Sequence, residues 1–198
     1  MVDVDAAKEK SRLRGEALAR RKSLAGDVRA NASDAVSERA FALIALHHPH
    51  RVALYWPIGG ECPTQSLVTN LAATGAEVGL PAVVDGNGLV FRRYVPGDRL
   101  VDGQFGTLEP ADDAPGIQPD LIVVPVVAFD RSGMRLGYGR GYYDSAISTL
   151  REAGQQPLLL GIAFSVQEVE TIPAECHDVR LDYAVTEKET LEFRKSRD

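Results

Sequence analysis

A segment dense in glycine and arginine is the clearest candidate for chemistry in this sequence. Six such residues fall within nine positions, namely Gly133, Arg135, Gly137, Gly139, Arg140 and Gly141. Glycine allows close backbone approaches that a side chain would block, and a helical pattern begins directly afterwards at Tyr142. Free N–H groups and two guanidinium groups together predict a phosphate site. The spacing matches neither the P-loop nor the dinucleotide-binding pattern, so turn formation alone is the alternative.

The N-terminal stretch predicts a basic helix over about residues 6–24. At about 100° per residue, an apolar stripe and three cations share one side of it: Leu13, Ala17, Leu24, Lys10, Arg14 and Arg21. A cation beside a buried stripe requires an anionic partner. For Lys10 and Arg14, that partner is either a protein carboxylate or a ligand phosphate.

Two further candidates follow the first predicted strand, which ends at Trp56. In open α/β sheets the ligand crevice lies beyond the carboxyl ends of the strands. Trp56 and Glu61 are therefore placed to stack on a planar heterocycle and to accept hydrogen bonds from its N–H groups. The alternatives are a core tryptophan and an ordinary loop glutamate.

The elements that must position these residues read as a three-layer α/β fold. Leu121–Val124 is a short apolar run typical of a buried parallel strand, and 157–164 and 183–186 are further strands. Residues 77–84 and 89–94 predict an antiparallel hairpin around Asp85-Gly-Asn-Gly88. A second helix is expected from about 27 to 46, and the segment 95–119 is a long loop. We expect a mostly parallel central sheet with helices on both faces.

Composition narrows the function class. The 198 residues are 44% hydrophobic and 25% charged with a net charge of −6, which is typical of one soluble domain over 1–198. The acidic balance disfavours a nucleic-acid partner. No apolar run approaches the roughly 20 residues of a membrane helix. Two isolated cysteines, Cys62 and Cys176, suggest the reducing cytoplasm. We expect a cytoplasmic monomer with small-molecule substrates.

Several of these stretches resemble the 5-formyltetrahydrofolate cyclo-ligase family, also called 5,10-methenyltetrahydrofolate synthetase. RLGYGRGYYD (135–144), preceded by LIVVPVVAFD (121–130), is similar to the family signature. KSRLR (10–14) resembles its basic helix, YWPIGGECPT (55–64) its first strand and folate loop, and FGTLEP (105–110) its middle loop. The resemblance covers nearly the whole chain.

The resemblance implies a reaction as well as a fold. Members of the family use MgATP to convert 5-formyltetrahydrofolate to 5,10-methenyltetrahydrofolate, with release of ADP and phosphate. The formyl oxygen is phosphorylated to give an iminium phosphate, and N10 then closes the ring. Such chemistry depends on positioning and charge neutralisation more than on a covalent nucleophile.

The resemblance also implies roles for individual residues. The nucleotide site comprises Lys10, Arg14, Arg135, Leu136, Gly137, Tyr138, Gly139, Arg140, Gly141, Tyr142 and Tyr143. Lys10, Arg140 and Tyr142 are the catalytic candidates. The folate contacts are Trp56, Glu61 and Phe105, with Tyr142 and Tyr143 separating the two ligands. The Mg²⁺ ligands are Asp144 and Asp182, although an aspartate in a first helical turn is ordinarily a cap.

Other functions share parts of this pattern. Sugar-phosphate isomerases and CoA transferases use the same architecture and would take Glu61 or Glu109 as their acid or base. A non-catalytic folate-binding protein would lack Lys10, Arg140 or Asp144, and all three are present. The sequence therefore favours the cyclo-ligase.

Overall fold

A computed structural model describes residues 4–84 and 88–194. The helices in this part of the chain are α1 (Val4–Lys22), α2 (Gly26–His47), α3 (Gln65–Ala73) and α4 (Tyr142–Glu152). The strands are β1 (Arg51–Ala53), β2 (Glu77–Val84), β3 (Gly88–Arg93), β4 (Leu100–Asp102), β5 (Leu108–Pro110), β6 (Leu121–Pro125), β7 (Ala128–Phe129), β8 (Arg135–Leu136), β9 (Leu158–Ile162), β10 (Tyr183–Val185) and β11 (Thr190–Glu192). Single 3-10 turns occur at Gln104–Gly106 and Ser165–Gln167.

Seven of these strands form one sheet in the order β11-β10-β9-β6-β1-β2-β3. The five central strands are parallel, and β3 and β11 add antiparallel edges. A parallel sheet needs helical crossovers that bury both of its faces. The prediction of a mostly parallel sheet with an antiparallel hairpin is confirmed, although the turn residues 85–87 lie outside the described part.

Alternate residues of β6 pack on the two opposite faces of the sheet. Leu121 and Val123 belong to the core under α2 and α3, whereas Ile122 and Val124 belong to the core under α4. All four side chains are at most 1% exposed. Successive side chains of a strand point to opposite faces, so β6 is the middle layer of three. This confirms the predicted architecture of a sheet between two helical layers.

Helix α1 packs beside the three layers rather than within them. Leu13 and Ala17 of its apolar stripe are buried against Met134 and Leu136 around the β7–β8 hairpin. The helix ends at Lys22, so Leu24 lies beyond it. This packing directs the cations next to the stripe toward the segment that follows β8.

Two local features differ from the sequence predictions. The expected loop 95–119 contains the β4–β5 pair, and a short β7–β8 hairpin leads into the glycine-rich stretch. Thr64 precedes α3 but does not cap it, because its hydroxyl donates instead to the carbonyl of Tyr55 at 2.6 Å. None of the described helices combines the length and apolar character needed to cross a membrane.

Candidate active site

A cavity of about 600 Å³ opens at the carboxyl ends of β1 and β6. Its lining includes the loop after β1, residues 136–144 (the glycine segment), α1 and residues 175–178, and residues of β2, β3, β6 and 104–109 complete it. Its volume lies within the range of small-molecule sites, and its place at the carboxyl ends of parallel strands is the usual one for α/β folds. Most of the predicted site residues therefore surround one cavity.

Arg14 holds the backbone of the glycine segment in place. The Nε of Arg14 donates to the carbonyl of Gly137 at 2.8 Å. Gly139 has φ 92°, and a Cβ there would lie 3.4 Å from Cζ of Arg14. Gly141 has φ 71° and immediately precedes α4. The N-terminus of α4 thus faces the cavity that Arg140 and Tyr142 also line, as an anion site requires.

Arg135 lines the cavity, but its guanidinium is bonded to the protein. Its Nη1 donates to Oδ1 of Asp144 at 3.0 Å and to the carbonyl of Val179 at 2.8 Å, and its side chain is 4% exposed. Oδ1 of Asp144 also accepts from the N–H of Val179 at 3.0 Å. Both bonds use the Oδ1 oxygen of Asp144, and Asp144 is one of the residues that line the cavity. Arg135 therefore fixes both the start of α4 and the segment before β10.

Lys10 lies between two carboxylates. Its Nζ is 2.6 Å from Oε2 of Glu175 and 2.6 Å from Oδ2 of Asp178. Burial alone would lower the pKa of Lys10, but the hydrogen bonds with Asp178 and Glu175 outweigh it and raise that pKa. Lys10 is thus a fixed cation at the cavity wall, and nucleotide binding by it stays a prediction.

The sequence prediction did not include Glu175, His177 and Asp178 in the site. In the structure one ligand atom from each lies within 4.8 Å of the others, a grouping that could hold a metal ion. All three line the cavity beside Asp144. The sequence signal that could have identified this grouping is the presence of two acids and a histidine in ECHD (175–178). Such a short stretch is common, and only its position in the fold indicates a site.

Asp182 occupies a different place from the one its predicted role requires. Its Oδ2 accepts from the N–H of Leu159 at 2.8 Å, and its Oδ1 lies 3.6 Å from Nε of Arg194. These contacts are at the amino ends of β9 and β10, whereas the cavity is at the carboxyl ends. Asp182 is not among the cavity residues, so the structure does not bring it together with Asp144.

Trp56 and Glu61 line the cavity from the loop that follows β1. The ring of Trp56 packs edge-on against Tyr94 at a centroid distance of 6.0 Å. Glu61 is 7% exposed, and its Oε2 accepts from the N–H of Ile58 at 2.9 Å. Burial raises the pKa of Glu61 to about 7 despite that bond and the nearby charge of Arg21. The side chain of Phe105 lies outside the described part of the structure.

Tyr143 contributes a hydroxyl that has no hydrogen-bond partner among the described residues. Its ring packs against Phe91 at 6.3 Å. Burial raises the pKa of this hydroxyl well above its usual value, so the group stays protonated and able to donate. A buried, unpaired donor beside the cavity is available to a ligand.

Residues 6–187 match the model of the 5-formyltetrahydrofolate cyclo-ligase family. The chain belongs to this family. The cyclo-ligase of Mycolicibacterium smegmatis is 35% identical over 190 residues, which cover 91% of this chain and 95% of that protein. The Haemophilus influenzae cyclo-ligase is 33% identical over 156 residues, with 76% and 82% covered. The predicted family and its class, a ligase, are confirmed.

Solved structures agree with this membership. The NMR structure of Aquifex aeolicus 5,10-methenyltetrahydrofolate synthetase superposes with a TM-score of 0.80 at 35% identity, covering 96% of this chain and 95% of that one. The Mycoplasma pneumoniae 5,10-methenyltetrahydrofolate synthetase has the same fold, with a TM-score of 0.73 at 23% identity and coverage of 90% and 98%. The cyclo-ligase family fold therefore extends over almost the whole chain.

The buried carboxyl of Glu61 leads to a prediction about stability. Because its pKa is raised from 4.5 to about 7 in the folded protein, folding favours the protonated form, and that contribution is lost as the pH rises through 7. At pH 8 Glu61→Gln should therefore increase the free energy of unfolding by up to about 3 kcal/mol, at about 1.4 kcal/mol per pKa unit.

Urea denaturation at pH 8 and pH 5 measures this effect. The gain should be much smaller at pH 5, where the folded carboxyl is already protonated. Glutamine keeps an oxygen that can accept from Ile58, so the local turn is preserved. Equal changes at both pH values would show that the buried carboxyl is not the group responsible.

Proposed function

We propose that this protein uses MgATP to convert 5-formyltetrahydrofolate to 5,10-methenyltetrahydrofolate, with release of ADP and phosphate. The observation that carries the proposal is that one cavity has two chemically different walls. The glycine segment, the start of α4 and Lys10 suit a polyphosphate, whereas Trp56 and Glu61 suit a planar heterocycle with N–H donors. A reaction between two such substrates requires both walls to face a single space.

The chemistry explains why the nucleotide wall is cationic. The formyl oxygen attacks the γ-phosphorus, the bond from that phosphorus to the ADP oxygen breaks, and an iminium phosphate forms at N5. N10 then bonds to the formyl carbon with loss of its proton, and phosphate departs with the former formyl oxygen. Lys10, Arg140 and Tyr142 would stabilise the charge on the transferred group, since phosphoryl transfer depends mainly on positioning and electrostatics.

The folate wall would recognise the pterin through a charged acceptor. An ionised Glu61 can accept from two pterin N–H groups, and Trp56 offers an aromatic face or edge beside it. Tyr142 and Tyr143 are the first two residues of α4, directly after the glycines proposed to bind phosphate, and both line the cavity. We infer that they separate the two ligands and that the free hydroxyl of Tyr143 donates to one of them.

The carboxylates suited to Mg²⁺ are Asp144 and Asp178, not the expected Asp182. Both line the cavity, and Asp178 belongs to the Glu175–His177–Asp178 grouping. Hard oxygen ligands from one or two carboxylates, completed by phosphate oxygens and water, are typical of Mg²⁺. When bound, the ion would neutralise triphosphate charge. Lys10, which already contacts Asp178 at 2.6 Å, would then lie next to the same phosphates.

The isomerase or transferase alternative receives no specific support. Its second candidate acid or base, Glu109, is occupied by the protein: Oε2 accepts from the N–H of Val83 at 3.0 Å and Oε1 from the hydroxyl of Thr107 at 2.9 Å. A carboxylate with both oxygens engaged is a poor proton carrier. Its position instead fixes β5 against β2.

The direct test is turnover. The purified protein, incubated with 5-formyltetrahydrofolate and MgATP, should produce the methenyl product, followed by its absorbance, with one ADP formed per product. Omission of either substrate should abolish both signals. Tight folate binding without ADP formation would indicate a non-catalytic folate-binding protein instead.

Arg14→Ala should raise the KM for ATP by roughly 10-fold or more, because a charged hydrogen-bonding group is worth about 1.5–3 kcal/mol. The substitution removes a cation at the cavity and releases the carbonyl of Gly137. Arg12→Ala is the matched control, since Arg12 lies on the same helix but pairs with Glu9 and Glu16 at the surface. Loss of thermal stability with unchanged KM for ATP would indicate a purely structural role for Arg14.

Asp144→Asn should reduce turnover by roughly 100-fold, with partial recovery at high Mg²⁺, because an amide is a weaker metal ligand than a carboxylate. Asp182→Asn is the control and should leave both turnover and Mg²⁺ dependence nearly unchanged. Thermal melting of both variants reports on folding. A fully active Asp144→Asn protein with normal Mg²⁺ dependence would contradict the metal assignment and make Asp144 only a partner of Arg135.

A further inference from the structure

Arg21 is a buried cation that the proposed chemistry does not use. It lies in the last turn of α1, is 3% exposed, and forms no salt bridge with a carboxylate among the described residues. Its Nη1 is buried without a hydrogen-bond partner in the same part of the chain. A buried guanidinium costs free energy unless its surroundings compensate for it. Such a residue is therefore expected to perform a task other than stabilisation.

The contacts of Arg21 join two loops that both contribute to the cavity, the loop after β1 and the glycine segment. Its Nη2 donates to the carbonyl of Gly59 at 2.8 Å and to the hydroxyl of Tyr138 at 2.8 Å. Gly59 lies in the loop that carries Glu61, whereas Tyr138 lies in the glycine segment. A Cβ on Gly59 would be 3.5 Å from the Tyr138 hydroxyl oxygen, so the two loops approach each other closely here.

The Glu61 carboxyl lies close to this tyrosine. Burial is the largest influence on the pKa of Glu61 and raises it, whereas the neighbouring Tyr138 hydroxyl acts in the opposite direction. The hydroxyl oxygen accepts from Arg21, so the tyrosine keeps its own proton, which an ionised Glu61 can accept. Hydrogen bonds in such a chain strengthen one another in a medium of low dielectric constant. Arg21, Tyr138 and Glu61 therefore form a relay from the helix, through the glycine segment, to the folate wall.

The loop that carries Glu61 is held by hydrogen bonds, whereas Tyr138 is accessible. Ile58 donates to Glu61 at 2.9 Å, and Arg29 donates to the carbonyl of Gly60 at 2.7 Å. Tyr138, in contrast, is 44% exposed. A nucleotide that orders the glycine segment would therefore act on Tyr138 first, and through it on the orientation of Glu61.

We infer that Arg21 is a positioning residue that couples the two substrate sites, because it holds Tyr138 of the glycine segment against the loop that presents Glu61. Occupation of the nucleotide wall fixes Tyr138, which fixes the carboxylate that receives the pterin. Each substrate then binds more tightly in the presence of the other, since coupling between two sites is reciprocal. The inference rests on the proposed function.

The test is the affinity for 5-formyltetrahydrofolate, measured by calorimetry with and without a saturating, non-hydrolysable ATP analogue and Mg²⁺. In the wild-type protein the analogue should tighten folate binding by roughly fivefold or more. Tyr138→Phe removes only the hydroxyl and should reduce this ratio to near one. Arg21→Met should do the same, Arg21→Lys should recover part of it, and the Tyr138→Phe/Arg21→Met double variant should lose no more than either single variant.

Arg20→Met is the matched control. Arg20 neighbours Arg21 on α1 and also donates to backbone carbonyls, but they are those of Val166 at 2.7 Å and Glu168 at 3.3 Å rather than that of Gly59. This variant should keep the wild-type ratio. If Arg21→Met does not fold, Tyr138→Phe alone decides the result.

Two results would overturn the inference, and they can be told apart. The coupling alone is rejected if the wild-type enzyme is active but the analogue does not change its affinity for folate. It is also rejected if a folded Tyr138→Phe protein keeps the full ratio. A wild-type protein that neither binds folate nor forms product rejects the proposed function, and the coupling with it.

Discussion

The site depends on cations that are buried at the edge of the sheet and must find partners without water. Lys10, Arg21 and Arg135 are each at most 6% exposed. An unpaired charge in such a position is strongly destabilising, so each cation determines the path of the chain around it. Lys10 holds residues 175–178 in place by pairing with the two carboxylates in that segment. Arg21 binds the loop at Gly59, and Arg135 ties α4 to the segment at Val179. The cavity is the space between these fixed segments.

Much of the fold could be predicted because it rests on local periodicity. The uninterrupted apolar run 121–124 is buried on both faces of the sheet, and the stripe of Leu13 and Ala17 is the buried face of α1. The positive φ angles of Gly139 and Gly141 agree with glycine's freedom at those positions. The short strands β7 and β8 were missed because two-residue strands carry no periodic signal. They exist because α1 packs over them.

The site was less predictable because its contacts are distant in the chain. Lys10 meets Glu175 across 165 residues and Asp178 across 168, and nothing local relates them. The proposal of Asp178 in place of Asp182 as a Mg²⁺ ligand has a similar origin. Both aspartates precede β10 by a few residues, but one lies on the cavity and the other bonds to Leu159 at the amino end of the sheet. Only the path of the connecting segment distinguishes them.

Two polar side chains that line the cavity are less well satisfied than a typical buried group. Buried Asp130 shows the ordinary pattern, since both of its oxygens accept backbone N–H bonds, from Ser132 at 2.8 Å and Ile172 at 2.8 Å. The Tyr143 hydroxyl, by contrast, lacks a partner among the described residues, and burial raises the pKa of Glu61. Such groups reduce stability in the free protein. A ligand in the cavity can satisfy both, so their presence in its lining is physical support for a binding site there.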